Sequence, residues 1–377
     1  MVKFELMDFR EAFSLDSQWV QLNNAGHGPF TRAAEQAAID VSRRLASLGA
    51  QAIPELYAEL TATRSVYADF LGTHVDRIAY TANLASAASL VAWGLPFREG
   101  DGILTIDQEY PSNAYIWHSV ARARNLKLEV FQSNADTSIH WDAFLARIRP
   151  GVRAVVLSWV QYGSGETAPL PAIGEACRRA GAWFVLDGVQ GLGALKFDFA
   201  STGVDILCGA SHKWMCGPAG HGFLAFKDEL YLQMTPVLQG AMTFGTPDDA
   251  VDPQRSPVAT ARRFEPGAPA FLMVAAAAAS LREIRKVGVE AIERTNRQLS
   301  QQLRQGLQAR GLTIIGSPDH PGRSSIVTVR PRQDLKMTSE FLLQKKISHA
   351  VRAGGIRLSP HAFNTTEEIE RVFQAFE

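Results

Sequence analysis

The chain has 377 residues, sets 38 Lys+Arg against 38 Asp+Glu, and is 46% apolar and 20% charged. A net charge of zero argues against a nucleic-acid partner or an anionic membrane surface, and the length asks for two domains rather than one core. Three cysteines, Cys177, Cys208 and Cys216, are too few and too odd in number for a disulfide framework; no signal-peptide core opens the chain and no apolar run is long enough to span a bilayer, so the expectation is a soluble cytoplasmic protein.

Residues 1–20 read as an N-terminal arm with a short helix. Leu22-Asn23-Asn24-Ala25-Gly26-His27-Gly28-Pro29 is a loop by composition. Asn23 and His27 are placed to reach a ligand from it, or else the asparagines bond their own backbone. Thr31 to Leu71 reads as helical with a break near Pro54. Asp76 to Thr81 enters a strand, and Ala82 to Val91 passes from small residues into a helical apolar pattern. Free N–H groups at such a helix start bind phosphate, although Asn83 makes an ordinary cap as well.

A regular alternation follows. Strands are expected at 102–106, 127–131, 153–160 and 183–186, with helices at 112–124, 141–148 and 170–180 between them. Such alternation builds right-handed βαβ units and a mostly parallel sheet whose strand ends share one edge. Topology alone therefore gathers Tyr110, Gln161, Asp187, Gln190 and Lys213 along that edge, where open α/β sheets bind ligands. Beyond it come a strand at 223–226, a long Pro- and Gly-rich loop at 235–269, helices at 270–286 and 288–310, and a smaller α+β region with strands at 325–329 and 355–358.

Two short stretches carry the chemistry. Asp187-Gly188-Val189-Gln190 ends one apolar run, and Ser211-His212-Lys213-Trp214 follows another, Asp205-Ile206-Leu207-Cys208. A lysine desolvated at a strand end is a Schiff-base nucleophile, and an aspartate there suits a protonated ring nitrogen. Gly188 to Gly193 has the wrong spacing for a dinucleotide loop, and Asp187 would repel a pyrophosphate. Cys208, His212 and Cys216 recur every four residues as zinc ligands on a helix would, but Gly209 and Gly217-Pro218 break any helix there.

Asp187-x-x-Gln190 with Ser211-His212-Lys213 at this gap resembles the class V aminotransferases of the fold-type I pyridoxal-phosphate superfamily, a group that includes cysteine desulfurases, kynureninase and isopenicillin-N-epimerase-like enzymes. The likeness runs from Leu22 to Asn364. It implies an α/β fold: a large cofactor domain over 21–262 with a mostly parallel sheet, a smaller α+β domain over 263–377, and an arm over 1–20 packed with the small domain. It implies pyridoxal 5′-phosphate as cofactor, a small amino-acid substrate, and a homodimer with its sites at the interface.

The resemblance also implies roles. Lys213 carries the cofactor as a Schiff base and moves the proton at the substrate Cα. Asp187 holds the ring-nitrogen proton, Gln190 bonds the phenolic oxygen, and Tyr110 stacks on the ring. Ser211 and His212 reach the phosphate together with the backbone around Leu84 and Ala85 and with Ser86, and Gln161 lies beside the cofactor. Arg357 takes the substrate carboxylate, a task its forked guanidinium suits. Asn23, His27, Tyr162 and His361 are substrate-contact candidates.

This sequence departs from the pattern at three places. Leu84 and Ala85 stand where many relatives have threonines, and Ala268 stands where a threonine reaches the other subunit's phosphate. The run Ser348 to Gly355 holds no cysteine, where desulfurases carry their nucleophile on a loop. A desulfurase of the usual mechanism is therefore not expected. Transamination is the first reading, since it needs no further group; a β-eliminating C–S lyase or an epimerase is the alternative, and a non-catalytic binding protein of the same fold comes last.

Overall fold

The structure is a computed structural model that describes residues 9–245, 251–316 and 324–376. Parts of the expected arm (1–8) and of the long loop (246–250) lie outside the described residues. Seven strands form the main sheet: β1 (Ile78–Thr81), β2 (Gly102–Ile106), β3 (Lys127–Phe131), β4 (Val152–Ser158), β5 (Trp183–Asp187), β6 (Ile206–Ala210) and β7 (Gly222–Phe226), in the order β1-β7-β6-β5-β4-β2-β3. The ladders from β6 through β5, β4 and β2 to β3 are parallel, whereas β7 runs antiparallel to both of its neighbours. The reason is the link after β6: Ser211 to His221 is too short for a crossover helix, so the chain turns back on itself.

The central strands read as continuous apolar runs because both faces are covered. Alternate residues go to opposite sides. Val155, Leu157, Phe184 and Leu186 join one apolar cluster, while Ala154, Val156, Trp183 and Val185 join the other. Ser158, Asp187 and Cys208 continue the second set and sit side by side in register on three adjacent strands. The helix Leu84–Gly94 packs on this same face. The last residues of β4 and β5 are therefore carried to the start of that helix.

The long N-terminal helical stretch divides into Arg32–Leu48 and Ile53–Leu71, separated by a 3₁₀ turn at Gly49–Ala52. Pro54 does not break it; it lies in the first turn of the second helix, where its missing N–H costs nothing. The helix at Trp141–Leu145 stops short of the expected Ile148.

A second sheet, all antiparallel, is built from β8 (Thr313–Ile314), β9 (Val327–Arg330), β10 (Ala350–Arg352) and β11 (Gly355–Leu358), in the order β10-β11-β9-β8. Its core holds Leu303, Val327, Val329, Leu342, Ile356, Leu358, Ile369 and Phe373, and it also takes in Val20 from the arm and Leu22 from the loop after it. Val20 bridges Ile347, and Arg10 donates to Phe363 O and pairs with Glu368. The helix Phe271–Val287 places Val274, Ala278, Leu281 and Ile284 in the core of the large sheet. In the next helix, Val289–Ala309, Ile292 joins the large core and Leu299, Leu303 and Leu307 join the small one.

Candidate active site

A cavity of about 380 Å³ opens where the C-terminal edge of the main sheet meets the small sheet. Its walls include Leu84, Ala85, Tyr110, Tyr162, Asp187, Gln190, His212, Lys213 and Arg357. The structure thus brings most of the expected residues around one space, from six separate stretches of chain.

Lys213 sits on the turn after β6, and the 23–28 loop holds that turn. Gly28 N–H donates to His212 O at 2.9 Å, and a Cβ on Gly28 would run into the Lys213 carbonyl. Burial pushes the Lys213 amine down to about 8; Asp187 pulls it up, while Arg357 and Arg352 push it further down. A neutral amine, the form that attacks an aldehyde, is therefore accessible near neutral pH. Its Nζ stands 5.6 Å from the centre of the Tyr110 ring, and that ring makes an edge contact with Tyr162 at 5.2 Å.

Asp187 is buried at the end of β5, and its Oδ1 accepts from Val189 N at 2.9 Å. Burial raises its carboxyl to about 7; the Val189 N–H and Lys213 lower it, and Glu109 raises it further. Burial outweighs these partners, so a further cation on the cavity side would hold the acid ionised. Gln190 donates through Nε2 to Ala25 O at 2.9 Å and accepts from Trp214 Nε1 at 2.9 Å. That leaves one Nε2 hydrogen for an oxygen in the cavity. Burial, aided by Lys213 and His27, drives His212 down to about 4, so it is neutral at physiological pH.

At the phosphate end, the helix Leu84–Gly94 presents its first turn to the cavity. Ser86 does not serve as expected: its N–H and its hydroxyl both go to the Asn83 cap, at 2.9 and 3.2 Å. Ser211 is fully buried and gives its hydroxyl to Pro218 O at 2.8 Å, closing the lysine turn rather than facing the cavity. The helix start at Leu84 and Ala85 faces the cavity beside His212, and free N–H groups with the helix dipole behind them suit an anion there. Ala268 is exposed and does not line this cavity.

At the substrate end, Arg357 on β11 is 2% exposed, donates from Nη1 to Tyr162 O at 2.8 Å and lies 3.4 Å from Asn23 Oδ1. Burial pushes it down to about 10, with the Arg352 charge next in weight. Its Nε has no hydrogen-bond partner among the described residues. A buried guanidinium that faces a cavity with no carboxylate partner among the described residues suits an anion. Asn23 therefore acts on Arg357 rather than lining the wall. His27 lies exposed at the rim, with Nδ1 2.9 Å from its neighbour's carbonyl Gly28 O. His361 is fully buried behind the site, Nε2 on Trp214 O and its ring stacked on Phe363. Gln161 is buried too, donating to Glu109 and Ser158 O instead of facing the cavity.

Two residues escaped the sequence reading. Arg352 lines the cavity from β10. The hairpin pairs Ala350 with Arg357 and Arg352 with Gly355, so alternation puts both arginines on one face. The signal was present in Ala353-Gly354, whose positive φ values of 49° and 72° make a two-residue turn. The other is Glu109, buried beside Asp187, which no local pattern marks as interior.

The family model for class-V aminotransferases matches residues 35–372. A probable cysteine desulfurase of Pyrococcus abyssi is 27% identical over 324 residues, covering 82% of this chain and 80% of its own. Isopenicillin N epimerase of Amycolatopsis lactamdurans is 27% identical over 403 residues, covering 100% and 98%. Among solved structures, the apo cysteine desulfurase of Thermococcus onnurineus NA1 superposes with a TM-score of 0.89 at 22% identity, covering 97% of this chain and 96% of that one. The chain belongs to the class-V aminotransferase family and has the fold-type I architecture of pyridoxal-phosphate enzymes. Its cofactor is pyridoxal 5′-phosphate, and the cavity fits that group: an amine, a buried acid awaiting a cation, and a helix start awaiting an anion.

Proposed function

We propose that this enzyme is an aminotransferase acting on an α-amino acid. Bound pyridoxal phosphate supplies an electron sink for the charge left on Cα when its proton is removed. Lys213 is the base at the cavity wall, its amine already lowered toward neutral pH by burial. Asp187 holds a proton at the ring nitrogen, and Arg357 fixes the substrate carboxylate so that the Cα–H faces the amine. Transamination asks for only one base that takes the proton from one carbon and returns it to another.

The observation that carries the reading is the composition of the cavity wall. It has the lysine and the guanidinium but no thiol, and all three cysteines are buried elsewhere. Sulfur abstraction by a wall thiolate therefore has no nucleophile here. Epimerisation is the second reading, favoured by the end-to-end match to isopenicillin N epimerase. The two separate when the holoenzyme is incubated with a panel of amino acids while keto acid, ammonia and pyridoxamine phosphate are followed together. Pyridoxamine phosphate and keto acid without ammonia support transamination. Ammonia with pyruvate means β-elimination, and loss of optical rotation alone means epimerisation; either result overturns the first reading.

A homodimer with shared sites is part of the same proposal. Trp93 and Tyr115, on neighbouring helices, are 41% and 72% exposed and offer apolar surface that a second copy would cover. Three free buried cysteines fit a reducing, cytoplasmic compartment. Among the described residues, no helix is long and apolar enough to cross a membrane.

A further inference from the structure

Behind the cavity lies a second carboxylate that the reaction as described does not use. Glu109 follows β2 and is buried. Its Oε1 accepts from Ser158 N at 2.6 Å and from Gln161 Nε2 at 3.3 Å; its Oε2 accepts from Asn113 Nδ2 at 2.6 Å and from Ser158 Oγ at 2.7 Å. Three of those four neighbours are N–H groups that only donate, a set that suits an anion and leaves a carboxyl proton almost nowhere to go. The Ser158 hydroxyl is shared: its oxygen also lies 3.5 Å from Asp187 Oδ2. Ser158 and Asp187 are direct partners across the β4–β5 ladder, so the sheet itself fixes this geometry.

We propose that Glu109 is a positioning residue that acts through Ser158 on Asp187, an ionised second carboxylate that makes Asp187 hold the cofactor's ring-nitrogen proton more tightly. The hydroxyl has one proton. Given to Glu109, it leaves Asp187 Oδ2 short of a donor, and the N–H of a pyridinium ring supplies one. Two buried anions this close also repel, and a proton on the ring side relieves the repulsion. The other titratable groups around Asp187 are Lys213, which stabilises its charge, and Cys208, its partner on β6. Burial holds the Glu109 carboxyl above its usual range, and its donors from Ser158, Asn113 and Gln161 offset part of that rise.

The inference rests on the cofactor binding with its ring nitrogen at Asp187. The ring-nitrogen ¹⁵N resonance of the unaltered holoenzyme, compared with Asp187→Asn, checks that separately, before any Glu109 or Ser158 variant is read. Two like charges bridged by one hydroxyl, at an effective dielectric near 20, shift a proton equilibrium by roughly 10- to 100-fold. The test uses holoenzyme loaded with ¹⁵N-labelled pyridoxal phosphate. The ring-nitrogen resonance is followed against pH, with the cofactor dissociation constant measured by equilibrium dialysis. Glu109→Gln mimics a neutral Glu109. It is expected to lower the pH at which the ring nitrogen loses its proton and to weaken cofactor binding roughly 10-fold or more. Ser158→Ala cuts the bridge but leaves Glu109 its other donors, and is expected to shift both readings in the same direction by less. Should Glu109→Gln fail to fold, Ser158→Ala decides alone. A ring nitrogen protonated as in the unaltered enzyme, with affinity within twofold, overturns the proposal, since a merely structural glutamate would change stability and leave the resonance alone.

Discussion

Replacing Arg357 by leucine tests the site most directly. The guanidinium is 2% exposed and donates to Tyr162 O at 2.8 Å, with Asn23 Oδ1 at 3.4 Å, so it arrives in the cavity already oriented. A substrate carboxylate gripped by its fork gains two charge-assisted hydrogen bonds of about 1.5–3 kcal/mol each. Their loss lowers kcat/KM for the amino acid by roughly 10²- to 10⁴-fold. Arg357→Lys keeps the charge without the fork and recovers only part of this. Stability should move differently. Keeping this cation buried, with its proton affinity pressed down to about 10 from the ordinary 12.5, costs on the order of 3 kcal/mol. A lowered folded value for a cation means the full cost is present at every pH below about 10, so it is constant between pH 6 and 8. Leucine removes that cost and forfeits two modest hydrogen bonds, so the thermal midpoint of the substrate-free holoenzyme should stay level or rise. Steady-state kinetics and a thermal scan on the same preparation make the check. A kcat/KM within threefold of the original, or a variant several kcal/mol less stable, would refute the reading of Arg357 as a strained anion receptor.

Lys213→Ala should abolish turnover while pyridoxal phosphate still binds noncovalently; borohydride reduction followed by mass spectrometry should then find no fixed cofactor, and fixation at another lysine would move the assignment. Gly28→Ala drives a methyl group into the Lys213 carbonyl, and is expected to destabilise the fold by about 1–3 kcal/mol and to slow cofactor capture, measured by denaturant unfolding and absorbance. Capture of pyridoxal phosphate by the apoprotein should accelerate with pH around a midpoint near 8, because the neutral amine attacks; Arg352→Ala removes one charge that depresses that amine, so its midpoint should lie higher, and an unchanged midpoint would show that Arg352 does not act on Lys213.

Much of the architecture could be read from the chain because strand alternation and short connections leave few topologies. Lys213 and Asp187 could be singled out because each follows an apolar run at a strand end, and the structure brings both to one cavity. What failed has physical causes. Ser86 and Ser211 have the chemistry of phosphate ligands, but a helix cap and a turn closure claim their hydroxyls first, and that competition is settled by local geometry. Gln161 looked like a cofactor neighbour because it follows β4, yet it turns inward to serve Glu109. The antiparallel strand β7 was missed as such since a strand's direction is set by the length of the link before it, not by its own residues. Arg352 was overlooked because its importance comes from the partner strand opposite it.

The hairpin of β10 and β11 has a consequence for how this protein could change. Its turn is two residues long, Ala353 and Gly354, and the strands it joins carry the two arginines of the cavity. The register of β11, which carries Arg357, is also held from its other side by β9, and the apolar residues that anchor the sheet, Ile356 and Leu358, lie on the face away from the arginines. Lengthening the turn is therefore a cheap alteration by the measure of loop closure. It would deliver new side chains over the cavity without repacking either core. The lining of this cavity can thus widen by insertion at a single peptide bond, leaving Lys213 and Asp187 where they stand.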